Sequence, residues 1–228
     1  MMETIDHYLL MLHIAAGTVS LILFWIPVFS RKGGNLHVRV GKIYIITMYI
    51  VVISAMLLCL FNVYFGDYLS AGFLGFISLL TIAPLWYGIN ILKHKRDMSR
   101  KYFLVRRWLH ASITTAAIGL LIWGATYGFK GETIILLIFG ILGLTTSRDV
   151  FASYDKISSI PWIKEHLVGM LSTGIAAYTA FLVFGGTQLF ADFFRGQAVA
   201  ILWAAPTVVG TILIMRMTKK YAPSLAKD

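Results

Sequence analysis

Long runs of apolar residues, parted by short polar intervals, fill the chain from end to end. A helix needs about 20 apolar residues to cross the roughly 30 Å hydrocarbon layer of a bilayer. Seven runs meet or approach that length: Tyr8–Phe29, Val40–Tyr64, Ser70–Leu92, Val105–Tyr127, Glu132–Ser147, Ile163–Phe184 and Gln197–Met215. Their central portions hold no Asp, Glu, Lys or Arg; the charged residues inside these bounds (Lys42, Arg106, Arg107, Glu132, Lys164 and Glu165) all fall within three residues of an end. The fifth run is the shortest, and its helix is expected to continue past Arg148 toward Tyr154 as a polar extension. Barrel strands alternate apolar and polar residues over about ten positions, whereas runs such as Ile43–Phe61 are continuously apolar. The pattern predicts an all-α integral membrane bundle of seven transmembrane helices, forming one polytopic domain over residues 1–228.

Composition supports that reading. Of 228 residues 58% are hydrophobic, and the mean hydropathy is +0.79. A water-soluble domain of this size needs more polar cover. The two longest polar stretches, around Lys93–Arg107 and Arg148–Trp162, are too short to build a soluble core. Any active site is therefore expected within the bundle or at its inner mouth.

The net charge of +10 is informative through its distribution. Eighteen of the 20 Lys and Arg fall in four intervals on one side of the expected topology. The first holds Arg31, Lys32, Arg39 and Lys42; the second runs from Lys93 to Arg107. The third holds Arg148, Lys156 and Lys164, and the tail holds Arg216, Lys219, Lys220 and Lys227. Only Lys130 and Arg195 fall in the opposite loops. Cytoplasmic loops accumulate Lys and Arg, so the N-terminus is expected outside and the C-terminus in the cytoplasm. An odd number of spans agrees. The basic face suits anionic headgroups of the lipid bilayer. No platform of interleaved aromatic and basic residues accompanies the charge, so no nucleic-acid partner is expected.

Glu3 and Asp6 stand where a cleavable signal would carry basic residues, and the first run exceeds a signal's apolar core. An uncleaved first helix is expected. The single Cys59 can form no intramolecular disulfide and reads as a small buried residue. Ser172, Ala176 and Ala180, like Gly124 and Gly128, have the spacing of helix-packing seams. Pro84 and Pro206 are expected to kink the third and seventh spans.

Candidate chemistry rests on histidine. His13, His110 and His166 lie within spans, where polar side chains are costly and tend to be functional. On the expected topology His110 and His166 both lie about one helical turn inside the inner boundary, marked by Trp108 and Trp162. Matched depth on two helices suits a shared haem or metal ion. His13 falls in the outer half. His37, assigned to the first inner loop, reaches the inner pair only if that loop folds inward. His7 and His94 read as interfacial. Arg148 is a candidate partner for a haem propionate, and Asp149 for orienting an imidazole N–H. Tyr154 is a further supporting candidate. Glu165 is another, although its neighbour Lys164 suggests ordinary solvated charge. Each also has a structural reading as a helix cap, an interfacial ion pair or a topology charge. Phosphate loops, HExxH, CxxC and GxSxG are absent.

The stretch Leu12-His13-Ile14-Ala15-Ala16-Gly17, followed by Leu36-His37-Val38-Arg39-Val40-Gly41-Lys42-Ile43-Tyr44, resembles a bacterial membrane family. Its members carry domain of unknown function 2306, with an H-x3-G helix followed by an HR-x-x-G-x-x-Y turn. The stretch from His166 through Met170 to Thr179-Ala180-Phe181 is similar to the family's H-x3-M helix ending in a TAF element. The resemblance spans roughly positions 12–184 and leaves the seventh helix outside; the His110 region fits it less well. It implies a multi-pass fold in a bacterial cytoplasmic (inner) membrane and little about activity.

Three functions are compatible with these residues. The first is an intramembrane haem b redox protein, with His110 and His166 as axial ligands and a quinone or membrane redox partner. Gly169 and the Ser172/Ala176 face would then form the haem slot. The second is a transporter or non-catalytic membrane partner. The third is a zinc hydrolase with His37, His110, His166 and Asp149 around the ion.

Overall fold

A computed structural model describes residues 2–128, 133–186 and 198–222. Among them every regular element is helical. The long helices are α1 (Met2–Phe29), α2 (Asn35–Tyr64), α3 (Tyr68–Asn90) and α4 (Arg100–Thr126). They are followed by α5 (Ile134–Leu144), the short α6 (Ser147–Phe151) and α7 (Tyr154–Ser158), then α8 (Trp162–Ala180) and α9 (Ala198–Tyr221). A 3₁₀ turn over Ile91–Lys93 extends α3, and a π-helical turn over Phe181–Gly186 extends α8. Six of these segments are long and apolar enough to cross a membrane: Thr4–Phe29, Asn35–Tyr64, Tyr68–Lys93, Arg100–Thr126, Ile134–Phe151 and Trp162–Gly186. The chain therefore has the character of a multi-pass membrane protein. Lys130, Glu132, Arg195, Gln197 and Lys227, used above to set loops and span ends, lie outside the described residues.

By packing, the chain divides into two compact units. One unit comprises residues 1–15, 49–83 and 96–160, and the other 16–48, 84–95 and 161–228. Helices α1, α2 and α3 each lend residues to both. In the first unit α4 packs on α5 and on α6. Ser99 caps α4 through the Tyr102 N–H at 3.1 Å, and Ser153 caps α7 through the Lys156 N–H at 3.2 Å. In the second unit α8 packs on α9. There the Cβ that Gly169 lacks would fall 2.6 Å from Gly88 Cα and 2.7 Å from Pro84 O. Only glycine permits this approach of the α3 and α8 backbones.

Four expectations change. The extension past Arg148 is not one helix: the helical path runs to Phe151 and breaks at Ala152–Ser153, where Ala152 is extended (φ −65°, ψ 138°). His37 lies in the first turn of α2 rather than in a loop. Gly169 offers no haem slot, because Gly88 and Pro84 occupy the space beside it. Glu165 is not solvated surface charge but 4% exposed.

Candidate functional site

The last carbonyls of a helix lack partners within it, and two histidines of the second unit serve such ends. Near the end of α1, Pro27 O accepts from His37 Nδ1 at 3.1 Å and from Lys32 Nζ at 2.8 Å. Near the end of α3, Gly88 O accepts from His166 Nδ1 at 2.7 Å. A carbonyl oxygen can only accept, so in both rings the proton sits on Nδ1. In the neutral imidazole Nε2 then carries a lone pair. The two ring centres stand 6.4 Å apart with planes at 66°.

Both rings line a cavity of about 70 Å³. Lys32, Phe24, Tyr44, Met170 and Met217 share its wall with aliphatic side chains. Tyr44 is held from behind. Thr173 donates to Met170 O at 2.7 Å and receives the Tyr44 hydroxyl proton at 2.7 Å. Lys32 lies in the turn between α1 and α2 and also donates to Val28 O at 2.5 Å. Burial, then the nearby charge of Lys220, holds its amine below the usual lysine range.

The first unit holds a different polar group. Arg106, 5% exposed, donates from Nη2 to Asp149 Oδ1 at 2.9 Å. His110, 6% exposed, lies one turn further along the same face of α4, as the i, i+4 spacing requires. Arg107 donates to Ala152 O at 2.8 Å, and Arg100 stacks on the Tyr154 ring at 4.4 Å. The Tyr154 hydroxyl donates to Met98 O. Three arginines counted above as topology charges thus also fasten α4 to the segment from Asp149 to Tyr154. Arg148 is exposed. His13, also in this unit, donates from Nδ1 to Val51 O at 3.1 Å and approaches Ser54 Oγ at 2.9 Å.

The sequence-predicted residues are thus sorted by unit. His37 and His166 share a cavity in the second. His110, Asp149, Arg148 and His13 belong to the first. Among the described residues no three of His, Cys, Asp and Glu group as a metal site. The cavity wall adds functional candidates that histidine counting missed: Lys32, Met170 and Met217. Met170 was within reach of sequence, since it lies one turn from His166. Met217 was not. No protein-family model, curated protein or solved structure matches the chain.

Proposed function

We propose that this is a seven-span membrane protein, N-terminus outside and C-terminus cytoplasmic, whose working centre is the His37–His166 cavity. There it binds a small electron-pair acceptor or proton donor as part of a redox or ion-handling role. The observation that carries the reading is the pair of imidazoles, His37 and His166, each held by a backbone carbonyl at Nδ1 and both lining one small, mainly apolar space. Apolar pockets with a few convergent polar groups are the usual form of a ligand site, and a carbonyl on Nδ1 is the usual orienting partner of a ligating histidine.

The seventh span would be α9, whose 24 residues reach about 36 Å at the helical rise. The charge asymmetry of the loops supports the orientation. The resemblance to domain of unknown function 2306 fits as well: its three motif histidines, His13, His37 and His166, all donate from Nδ1 to a backbone carbonyl. A haem on His166 fits less well, because about 70 Å³ is well below the roughly 300 Å³ at which organic-ligand pockets begin.

Native mass spectrometry and elemental analysis of the protein, purified mildly from its own membrane, test the centre. One bound species per chain, lost from both His37→Gln and His166→Gln, is expected. A wild-type chain carrying nothing, or a ligand retained by both variants, would sink the reading. Fusions at the C-terminus test the topology, with a fluorescent protein bright and alkaline phosphatase inactive. The opposite result reverses the orientation.

A further inference from the structure

The cavity wall supplies two kinds of neutral donor. Besides the two imidazoles it holds two thioethers, Met170 and Met217. Met170 follows His166 by four residues on α8, so both side chains share one helix face. Met217 comes from α9 and is 9% exposed. Among the described residues no carboxylate or thiolate lines the space.

We propose that this cavity is a copper(I) site, ligated by Nε2 of His37 and His166 and by the thioether sulfurs of Met170 and Met217. The proposal rests on the reading of the cavity as the binding centre and names its occupant.

Three arguments converge on a soft monovalent ion. The first is donor type: thioether sulfur is a poor ligand for hard cations and selects copper(I), while imidazole accepts it equally well. The second is charge. A neutral donor set leaves the ion's own charge uncompensated, and Lys32 adds a positive group to the same wall. A divalent ion would meet twice that opposition and find no anionic ligand. A single positive charge is further favoured by the helix-end carbonyls of Pro27 and Gly88, where partial negative charge collects. The third is size. About 70 Å³ is far below the roughly 300 Å³ at which organic-ligand pockets begin, which favours a small ion over an organic ring system.

The separation of the two rings is of the size that a shared ion requires. Two imidazoles sharing an ion at about 2.0 Å per nitrogen, and nearly opposite each other, put their ring centres roughly 6 Å apart. The observed ring-centre separation of 6.4 Å is of that size. Copper(I) accepts such a wide nitrogen–metal–nitrogen angle, with the thioethers completing the shell. Ligation through Nε2 leaves the Nδ1–H bonds to backbone in place.

The test is a competition between the full-length detergent-purified protein and the coloured copper(I) complex of bicinchoninate, under anaerobic reducing conditions. The wild type is expected to withdraw one copper(I) per chain, and excess Zn²⁺ should not return it to the chelator. His37→Gln and His166→Gln should each weaken binding by more than the roughly 10- to 100-fold that loss of a mere orienting partner costs. Met170→Leu and Met217→Leu conserve volume and so keep the fold; each should weaken binding measurably but less. X-ray absorption at the copper edge should then show both nitrogen and sulfur scatterers. Failure to withdraw copper(I), displacement by Zn²⁺, or unchanged affinity in both Met→Leu variants would overturn the proposal. Were another species bound natively and lost from the His→Gln variants, copper would be excluded while the binding centre stood. A wild-type chain that carries nothing and withdraws no copper would remove both.

Discussion

The two units hold polar groups of opposite character. In the first, Arg106 and Asp149 face each other as full charges, with His110 one turn away, and neighbouring arginines grip backbone and aromatic rings. In the second, the polar atoms lining the cavity are mainly neutral. There the Nδ1 protons of His37 and His166 are spent on helix-end carbonyls, and both rings line an apolar space. A buried ion pair answers its own charge and fastens segments together. Oriented neutral imidazoles fasten helices too, yet retain the capacity to bind something else. Histidine content alone does not separate structure from function here; whether the ring lines a cavity does.

The largest effect should come from closing the approach that positions His166. Gly169→Val drives side-chain atoms into the backbone of Gly88 and Pro84. Overpacking of this kind costs up to about 3 kcal/mol, with no flexible neighbour to yield. Gly119 in α4 is the matching position in the first unit, since no atom lies within 4 Å of its added Cβ. Gly119→Ala should be neutral or gain up to about 1 kcal/mol of helix propensity. Thermal unfolding in detergent compares them. Equal midpoints for the two variants would deny that the α3–α8 contact is tight.

Next in size is the ion pair. Removing one partner of a buried pair leaves an uncompensated charge, at about 3–5 kcal/mol when both are fully buried. The Asp149 side chain is 34% exposed against 7% for Arg106, so solvent offsets part of this. Asp149→Ala should therefore cost about 2 kcal/mol, leaving a buried guanidinium, and Arg106→Met should cost less. The double variant Arg106→Met/Asp149→Leu should recover most of the loss. Additive losses in that thermodynamic cycle would show that the pair is not coupled. Copper(I) binding in the second unit should be unchanged throughout.

Helical class and most span positions were legible in the sequence because charge is excluded from long apolar runs at high cost. Six of the expected spans recur as long apolar helices. The site was only half legible. His37 and His166 were both named, but matched depth joined His166 to His110, whereas packing sets His166 beside His37. Depth along a helix can be estimated from sequence; the direction in which its face points cannot. That direction depends on contacts such as Gly169 against Gly88, which involve residues 81 positions apart. The start of α2 is hard to see because Asn35–Arg39 is polar enough to resemble a loop, although its backbone is already helical. Buried Glu165 sent no signal, since its neighbours Lys164 and His166 are polar as well.

The histidines give the sharpest form of the comparison. His13→Ala and His166→Ala each remove one Nδ1–H bond to a backbone carbonyl. Each should cost about 1 kcal/mol. Their unfolding midpoints should fall together, but only the second variant should lose bound copper(I). Loss of copper in both would show that the effect is general destabilisation rather than ligation.

The smallest expected effect concerns Lys32, whose charge opposes any cation in the cavity. Its folded-state pKa lies below the ordinary 10.5, chiefly because of burial and secondarily because of Lys220. A base with a lowered folded pKa binds protons more weakly folded than unfolded. Its destabilising contribution is therefore complete at low pH. That contribution is relieved as pH rises through the folded value, and fully removed above 10.5. Copper(I) affinity should rise over the same interval, as the ammonium beside the site loses its charge. Lys32→Met should remove the pH dependence and raise affinity at neutral pH by a few-fold, since a partly exposed charge is screened. It also gives up the hydrogen bonds to Pro27 O and Val28 O, so a small loss of stability should accompany the gain in binding. Opposite signs for the two readouts separate electrostatics at the site from general loosening of the helix end. A variant that loses both affinity and stability would place Lys32 among the groups that hold the cavity open.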